Sequence, residues 1–301
     1  MPTRSLPAET RLGRVTLTVS DLDAVLPFYR DVVGLRVREQ GDGRAVLGTA
    51  ADAGGTAEVD DSAGGAVATD LLVLEEDPDA GPRPSNAAGL FHTAFLFPSR
   101  SALGDALARV RDAGARLTGA SDHRVSEALY LRDPEGNGVE LYRDRPRGEW
   151  PEADGEVEMD TLPLDVDALL ADRAGDADAA GDPAPAGTTV GHVHLEVTDL
   201  DAAEAFYVDA AGFDVRQRMG TDALFLAAGG YHHHVGLNTW NRRGAPTTGR
   251  GIARFEVIAP DGDALEAVRE SFVAAGVEVT EDAGALVVRD PDGIGVRVVV
   301  D

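Results

Sequence analysis

The feature that most constrains this 301-residue chain is that it repeats itself. Residues 13–37, GRVTLTVSDLDAVLPFYRDVVGLRV, and residues 191–215, GHVHLEVTDLDAAEAFYVDAAGFDV, align without a gap at an offset of 178, with 13 of 25 positions identical. A second pair is LYLRDPEGNGVELYRD, ending at Asp144, and LVVRDPDGIGVRVVVD, ending at Asp301. These follow segments that read GLFHTAFLFPSR and GIARFEVIAPDG. Recurring units of this kind bury their apolar faces against one another, so the fold is a set of similar supersecondary pieces.

Each piece can be read locally. Val15 to Val19 alternate apolar and polar residues with period two, which predicts a strand with one buried face. Ser20 or Asp21 then caps a helix that carries Phe28 and Tyr29 to the core, and Gly34 ends it. Thr198, Asp199, Phe206, Tyr207 and Gly212 repeat the same arrangement. In the other kind of unit, residues 102–113 form the helix, Gly114 ends it, and residues 133–138 make a tight turn between two strands. The unit is therefore strand, helix and about three strands, occurring at residues 13 to about 80, 89–145, 190–242 and 251–301. Roughly residues 150–187 are rich in Asp, Glu, Ala, Pro and Gly. That stretch is expected to be a solvated linker giving little core, with one short helix near residues 165–173.

Composition narrows the partners. Against 53 acidic residues stand 27 basic ones, all arginine, for a formal charge of −26. Such a surface repels nucleic acid and anionic membranes, so neither is expected as a partner. The balance resembles that of salt-adapted, halophilic cytoplasmic proteins. Cysteine is absent, which excludes disulfides and thiolate metal sites. No apolar run approaches the roughly 20 residues of a membrane span, and the first residues lack the apolar core of a secretory signal. A cytoplasmic location and a homo-oligomer are the expectations.

Strand-helix-strand-strand-strand units of this length, opening on a His-Val strand and closing on a Gly-x-Glu strand, resemble the vicinal oxygen chelate superfamily of glyoxalases, bleomycin-resistance proteins and extradiol dioxygenases. More closely, GLFHTAFLFPSR, SDHRVSEALYLRDPEGNGVELYRDRPR and AGGYHHHVGLNTWNRRG look like the two-module, Bacillus-type catechol 2,3-dioxygenases. The resemblance covers nearly all of the chain except the linker. It implies an α+β fold of four βαβββ units paired into two modules with cupped mixed sheets. The modules would span residues 10–148 and 188–301, with an acidic linker at 149–187 between them.

In this superfamily metal ligands project from the first and last strands of each unit. The second unit offers His92 and Glu140 at those positions and the third offers His192, with Gly236 near its last-strand position. The first unit offers Arg14, and the fourth Arg254 and Arg297, none of which can ligate a cation. Only a pairing of the second unit with the third assembles a site. Its two imidazoles and one carboxylate form the facial triad of a non-haem iron(II) oxygenase.

His123, Leu129, Tyr130, Asp133, Pro134, Gly136 and Glu140 also fit the extradiol signature, with Ser121 departing from it two places before the histidine. The resemblance thus gives His123 and Tyr130 catalytic roles. It gives the same to His234, which shares a face with His232 if the run His232, His233, His234 is extended and lies nearest the family's acid-base histidine. His194 shares the face of His192 and could support it.

The implied activity is extradiol cleavage of a catechol-type aromatic diol by O2, with Fe(II), or Mn(II) on the same ligands, as cofactor. Two alternatives stand beside it. One is a non-oxidative metalloenzyme such as an isomerase or thiol transferase, which usually has a fourth protein ligand. The other is a metal-free module that binds a small aromatic molecule.

Overall fold

The computed structural model describes residues 5–49, 69–153, 155–173 and 183–301. Residues 50–68 of the first unit, and 154 and 174–182 of the linker, lie outside the described residues. The first unit contributes β1 (Arg11–Val19), β2 (Arg36–Gly41), β3 (Arg44–Gly48) and β4 (Asp70–Glu76). The second contributes β5 (Gly89–Leu96), β6 (Gly119–Asp122), β7 (Ser126–Arg132) and β8 (Gly138–Asp144). Three short strands, β9 (Glu152–Ala153), β10 (Glu156–Val157) and β11 (Leu162–Pro163), mark the linker. The third unit holds β12 (Thr189–Glu196), β13 (Asp214–Met219), β14 (Ala223–Ala227) and β15 (Val235–Asn238). The fourth holds β16 (Gly251–Ala259), β17 (Thr280–Asp282), β18 (Ala285–Arg289) and β19 (Gly295–Val300).

The helices are α1 (Leu22–Pro27), α2 (Arg100–Asp112), α3 (Val166–Ala171), α4 (Leu200–Glu204) and α5 (Gly262–Ala274). Asp21, not Ser20, caps α1 by accepting from the amide of Ala24, and Asp199 caps α4 in the same way. Both helices continue as a wider turn, Phe28–Val33 and Ala205–Ala210. Gly34 and Gly212, at φ of +89° and +90°, end them in the left-handed region that glycine tolerates. No helix among the described residues is long and apolar enough to cross a membrane.

Two sheets form, and they join units across the halves of the chain. One has the order β17-β18-β19-β16-β1-β4-β3-β2 and joins the fourth unit to the first. The other has the order β11-β6-β7-β8-β5-β12-β15-β14-β13 and joins the second to the third. This second pairing is the one the ligand positions require. Within each half, the two units are instead tied through latches. The Ser20 amide and hydroxyl donate to Glu135 at 2.9 and 2.7 Å, and the Tyr29 hydroxyl donates to Asp133. In the other half, Thr198 donates in the same two ways to Asp292, and Tyr207 to Asp290. A buried tyrosine needs a partner for its hydroxyl, so the repeated aromatic pair and the repeated Asp-Pro-x-Gly turn serve one contact.

The linker gives more to the core than its composition suggests. Val157, Met159 and Leu169 are buried, and α3 packs on α2. Residues 157–163 also run between β6 and β13 of the nine-stranded sheet. Leu162 and Pro163 pair with Asp122 and Ser121 of β6, while the Gln217 side-chain amide on β13 grips both backbone groups of Met159. A composition-based reading misses such contacts because they are long-range and carry no periodicity.

Candidate metal centre and cavity

At the middle of the nine-stranded sheet β5 runs antiparallel to β12 and parallel to β8. Ala94 is the register partner of both His192 and Glu140. A methyl side chain between them leaves room for the imidazole and the carboxylate to meet above it, and His92 joins them from the same face of β5, two residues away. The resulting cluster is buried and tight. His92 Nε2 lies 2.8 Å from Glu140 Oε2, His192 Nε2 lies 3.1 Å from the same oxygen, and the two nitrogens are 3.2 Å apart. Ligands on one face of an octahedron, with bonds of about 2.1 Å, are about 3.0 Å from one another. The three atoms therefore fit one face of a metal ion's coordination sphere.

The electrostatics agree. Burial pushes the Glu140 carboxyl up, but the facing imidazoles of His192 and His92 outweigh it and hold the carboxyl well below its ordinary range. Burial pulls His192 down to about 4 against the raising effect of Glu140, so the set is one carboxylate with a neutral imidazole, the form a metal takes. A pH effect follows. In the unfolded chain His192 binds a proton near pH 6.5, whereas in the metal-free fold it does so only near 4. The folded value is the lower one, so stability is full above pH 6.5 and is lost as pH falls from 6.5 to 4. His192 alone contributes on the order of 3 kcal/mol to that loss. Urea titrations of the metal-free protein at pH 7.5 and 4.5 should show the decline, and equal midpoints would contradict a neutral buried His192.

The cluster floors a cavity of about 240 Å³ walled by Phe91, Met159, Met219, Phe225 and Trp240. His123, in the turn after β6, and Tyr130, on β7, face it, and their contacts fix their hydrogens. His123 Nδ1 lies 2.6 Å from the Asp160 carbonyl oxygen in the linker, which can only accept. Nδ1 therefore carries a hydrogen, and neutral His123 accepts the Tyr130 hydroxyl hydrogen at Nε2, 2.6 Å away. Burial, with Glu140 nearby, raises the Tyr130 phenol well above its usual range, so it stays protonated.

The structure places His234 elsewhere. Its Nδ1 accepts from the amide of Ala228, and its ring stacks on Tyr231, away from the cavity lining. The expectation for His234 rested on strand alternation, but residues 231–234 form a bend and β15 starts only at Val235. The histidine of the run that faces the cavity is His233, whose ring lies 4.0 Å from that of His192, centroid to centroid. His232 lies behind it. Its Nε2 is 2.9 Å from the Asp144 carboxylate and its Nδ1 is 2.7 Å from Nδ1 of His233. With His232 neutral, its Nε2–H donates to Asp144, its Nδ1 accepts from His233 Nδ1–H, and His233 Nε2 remains an acceptor.

Sequence reasoning put His234 forward within the run, ahead of His233, and missed Asp144 and the linker residues at 159–161. For Asp144 a signal existed, since counting by twos from Glu140 along β8 reaches Tyr142 and Asp144 on the ligand face.

Residues 11–141 and 189–298 match the family model of the glyoxalase/bleomycin resistance protein/dioxygenase superfamily. The catechol-2,3-dioxygenase of Bacillus subtilis (strain 168) is 41% identical over 293 residues, covering 95% of this chain and 96% of that protein. Biphenyl-2,3-diol 1,2-dioxygenase 3 of Rhodococcus globerulus is 32% identical over 134 residues, 44% of this chain and 63% of that one. Among solved structures, glyoxalase I from Zea mays shares the fold at a TM-score of 0.54 and 17% identity, covering 97% of this chain and 92% of that one. With its four units, its two sheets and a full-length relative at this identity, the chain belongs to the glyoxalase/bleomycin resistance protein/dioxygenase superfamily.

Proposed function

We propose that the protein is an extradiol dioxygenase that opens the ring of a catechol-type diol with O2, using a mononuclear non-haem iron(II) on His92, Glu140 and His192. One observation carries this reading. The three ligand atoms form a single triangular face at the floor of an aromatic-walled cavity, and no fourth His, Asp or Glu joins them among the described residues. The third unit has Gly236 where a fourth ligand would project. A four-ligand isomerase or transferase is thereby disfavoured, and three converging buried ligands speak against a metal-free binder. The full-length likeness to a catechol-2,3-dioxygenase supports the same reading.

Iron(II), or manganese(II) on the same ligands, would supply a path for electrons between diol and dioxygen. The chain supplies proton management. His233 Nε2 is the acceptor for a proton leaving the diol, and Asp144 through His232 keeps that nitrogen free and stabilises the charge it gains. Tyr130, held in one orientation by His123 and the linker carbonyl, would turn its hydroxyl hydrogen from His123 Nε2 to a developing oxyanion. Protein loaded anaerobically with iron(II) should consume one O2 per catechol and give a yellow semialdehyde. Bound iron and bound catechol without oxygen uptake would overturn the reading.

Asp144 touches no ligand atom of the triad, so it tests the proton arrangement separately. Asp144→Asn should keep its metal, lose about ten- to a hundredfold in kcat, and move the acid limb of the pH profile of kcat/KM. A reduced kcat on an unmoved profile would show a structural role only.

The protein is further read as salt-adapted, cytoplasmic and homo-oligomeric. At about 0.1 M salt the −26 charge repels itself over about 10 Å, and at molar salt over about 3 Å. Tm should rise steeply from low to molar potassium chloride, and a flat response would remove the salt-adaptation reading.

A further inference from the structure

His194 faces the cavity beside His92, yet its nitrogens take no part in the ligand cluster. Its Nε2 is occupied, lying 3.1 Å from Nδ2 of Asn238. The orientation of that amide is fixed independently. Asn238 Oδ1 accepts from the Trp240 amide at 3.2 Å, and Nδ2 also faces the Leu195 carbonyl at 3.4 Å. A flipped amide would set oxygen against oxygen and N–H against N–H. Nε2 of His194 is thus an acceptor, and its hydrogen sits on Nδ1.

Nδ1 has no hydrogen-bond partner among the described residues and is not among the enclosed, unpartnered atoms, so it opens on the cavity. The ring is held rigidly. It meets Phe91, Trp240 and His92 edge-on at 5.2, 5.3 and 5.1 Å. It also lies flat on Gly236, where a Cβ would come within 2.9 Å of it. A fixed N–H donor set among aromatic rings is a recognition element, because any bound molecule that leaves it unpaired forfeits a buried hydrogen bond. Among the described residues no arginine lines the cavity, and Asp160 lies on its wall, so a carboxylated ring substituent would enter without a cationic side chain to pair it.

We propose that His194 is a specificity-determining residue whose Nδ1–H donates to the substrate, selecting uncharged catechols that carry a hydrogen-bond-accepting ring substituent such as a carbonyl. This rests on the ring-cleavage reading above. The test compares acetylcatechol with its near-isostere isopropylcatechol, each with the substituent at ring position 3 or 4. Affinity is read without oxygen from tryptophan quenching, Trp240 lining the cavity, and kcat/KM is read with oxygen.

Replacing His194 by Phe should weaken acetylcatechol about tenfold more than isopropylcatechol at one of the two positions, and His194→Gln should recover part of the difference. In zinc-loaded wild-type protein, where no variant has to fold, the 15N signal of a protonated His194 Nδ1 should shift with acetylcatechol and not with isopropylcatechol. Equal losses for both ligands at both positions, or an unmoved Nδ1 signal, overturn the proposal while leaving ring cleavage standing. Failure of wild type to open unsubstituted catechol overturns the ring-cleavage reading, and this proposal with it.

Discussion

Glu140→Gln should give a folded protein that no longer holds iron and no longer opens catechol. The substitution preserves shape and removes the one anion of the cluster, leaving two imidazoles at 3.2 Å to face a cation alone. Removing one partner of a buried charge pair costs about 3–5 kcal/mol, which is roughly two to four powers of ten in metal affinity. His92→Ala should act likewise by removing a ligand. In both variants the metal-free melting temperature should stay within a few degrees of the parent's, since the sheet exists without the site. The rise in Tm that metal gives the wild type should disappear, because a ligand stabilises only the state that binds it. Metal analysis, melting with and without iron(II), and oxygen uptake read the three effects. Full activity in either variant would show that the ligands lie elsewhere.

Gly138→Ala should damage the same site from the backbone. A Cβ there would lie 1.9 Å from the Phe91 carbonyl oxygen and 3.1 Å from the His92 Cβ, between β8 and β5. Neither neighbour is a flexible side-chain end, so the strands themselves must part. Glu140 is two residues along β8 and His92 is beside the clash, so the parting spreads the ligand triangle. Overpacking of this kind costs about 3 kcal/mol, and a displacement of about 1 Å at a reacting centre costs about a hundredfold in rate. Gly262→Ala is the control, because it meets nothing within 4 Å and starts a helix. It should cost no stability. If Gly138→Ala melts with the parent and keeps its iron, the packing at that seam is looser than described.

The parts legible in the sequence were those repeated in it. Alternation at Val15–Val19, the aspartate caps and the glycine stops are local signals, and they recur, so β1, α1 and their copies were readable. The triad was readable because His92, Glu140 and His192 occupy positions filled by arginine in other units. His234 misled because period two holds only in extended chain, and its segment bends before the strand begins. The linker's part in the cavity was hidden because a main-chain carbonyl, here that of Asp160, carries no side-chain signature.

The order in which the units pair has a further consequence for how the molecule is made. The inner two are neighbours in sequence, but the outer two join their sheets through β1 and β16, where Val15 lies beside Phe255, 240 residues later. During synthesis the first unit leaves the ribosome with the β1 edge of its sheet open, and it keeps that edge until the last unit emerges. Such distant pairing is slow and leaves edges prone to misassociation. Maturation should therefore run from the inside outward, and a nascent chain arrested before Gly251 should already protect the β5–β12 amides from hydrogen exchange while those of β1 still exchange freely.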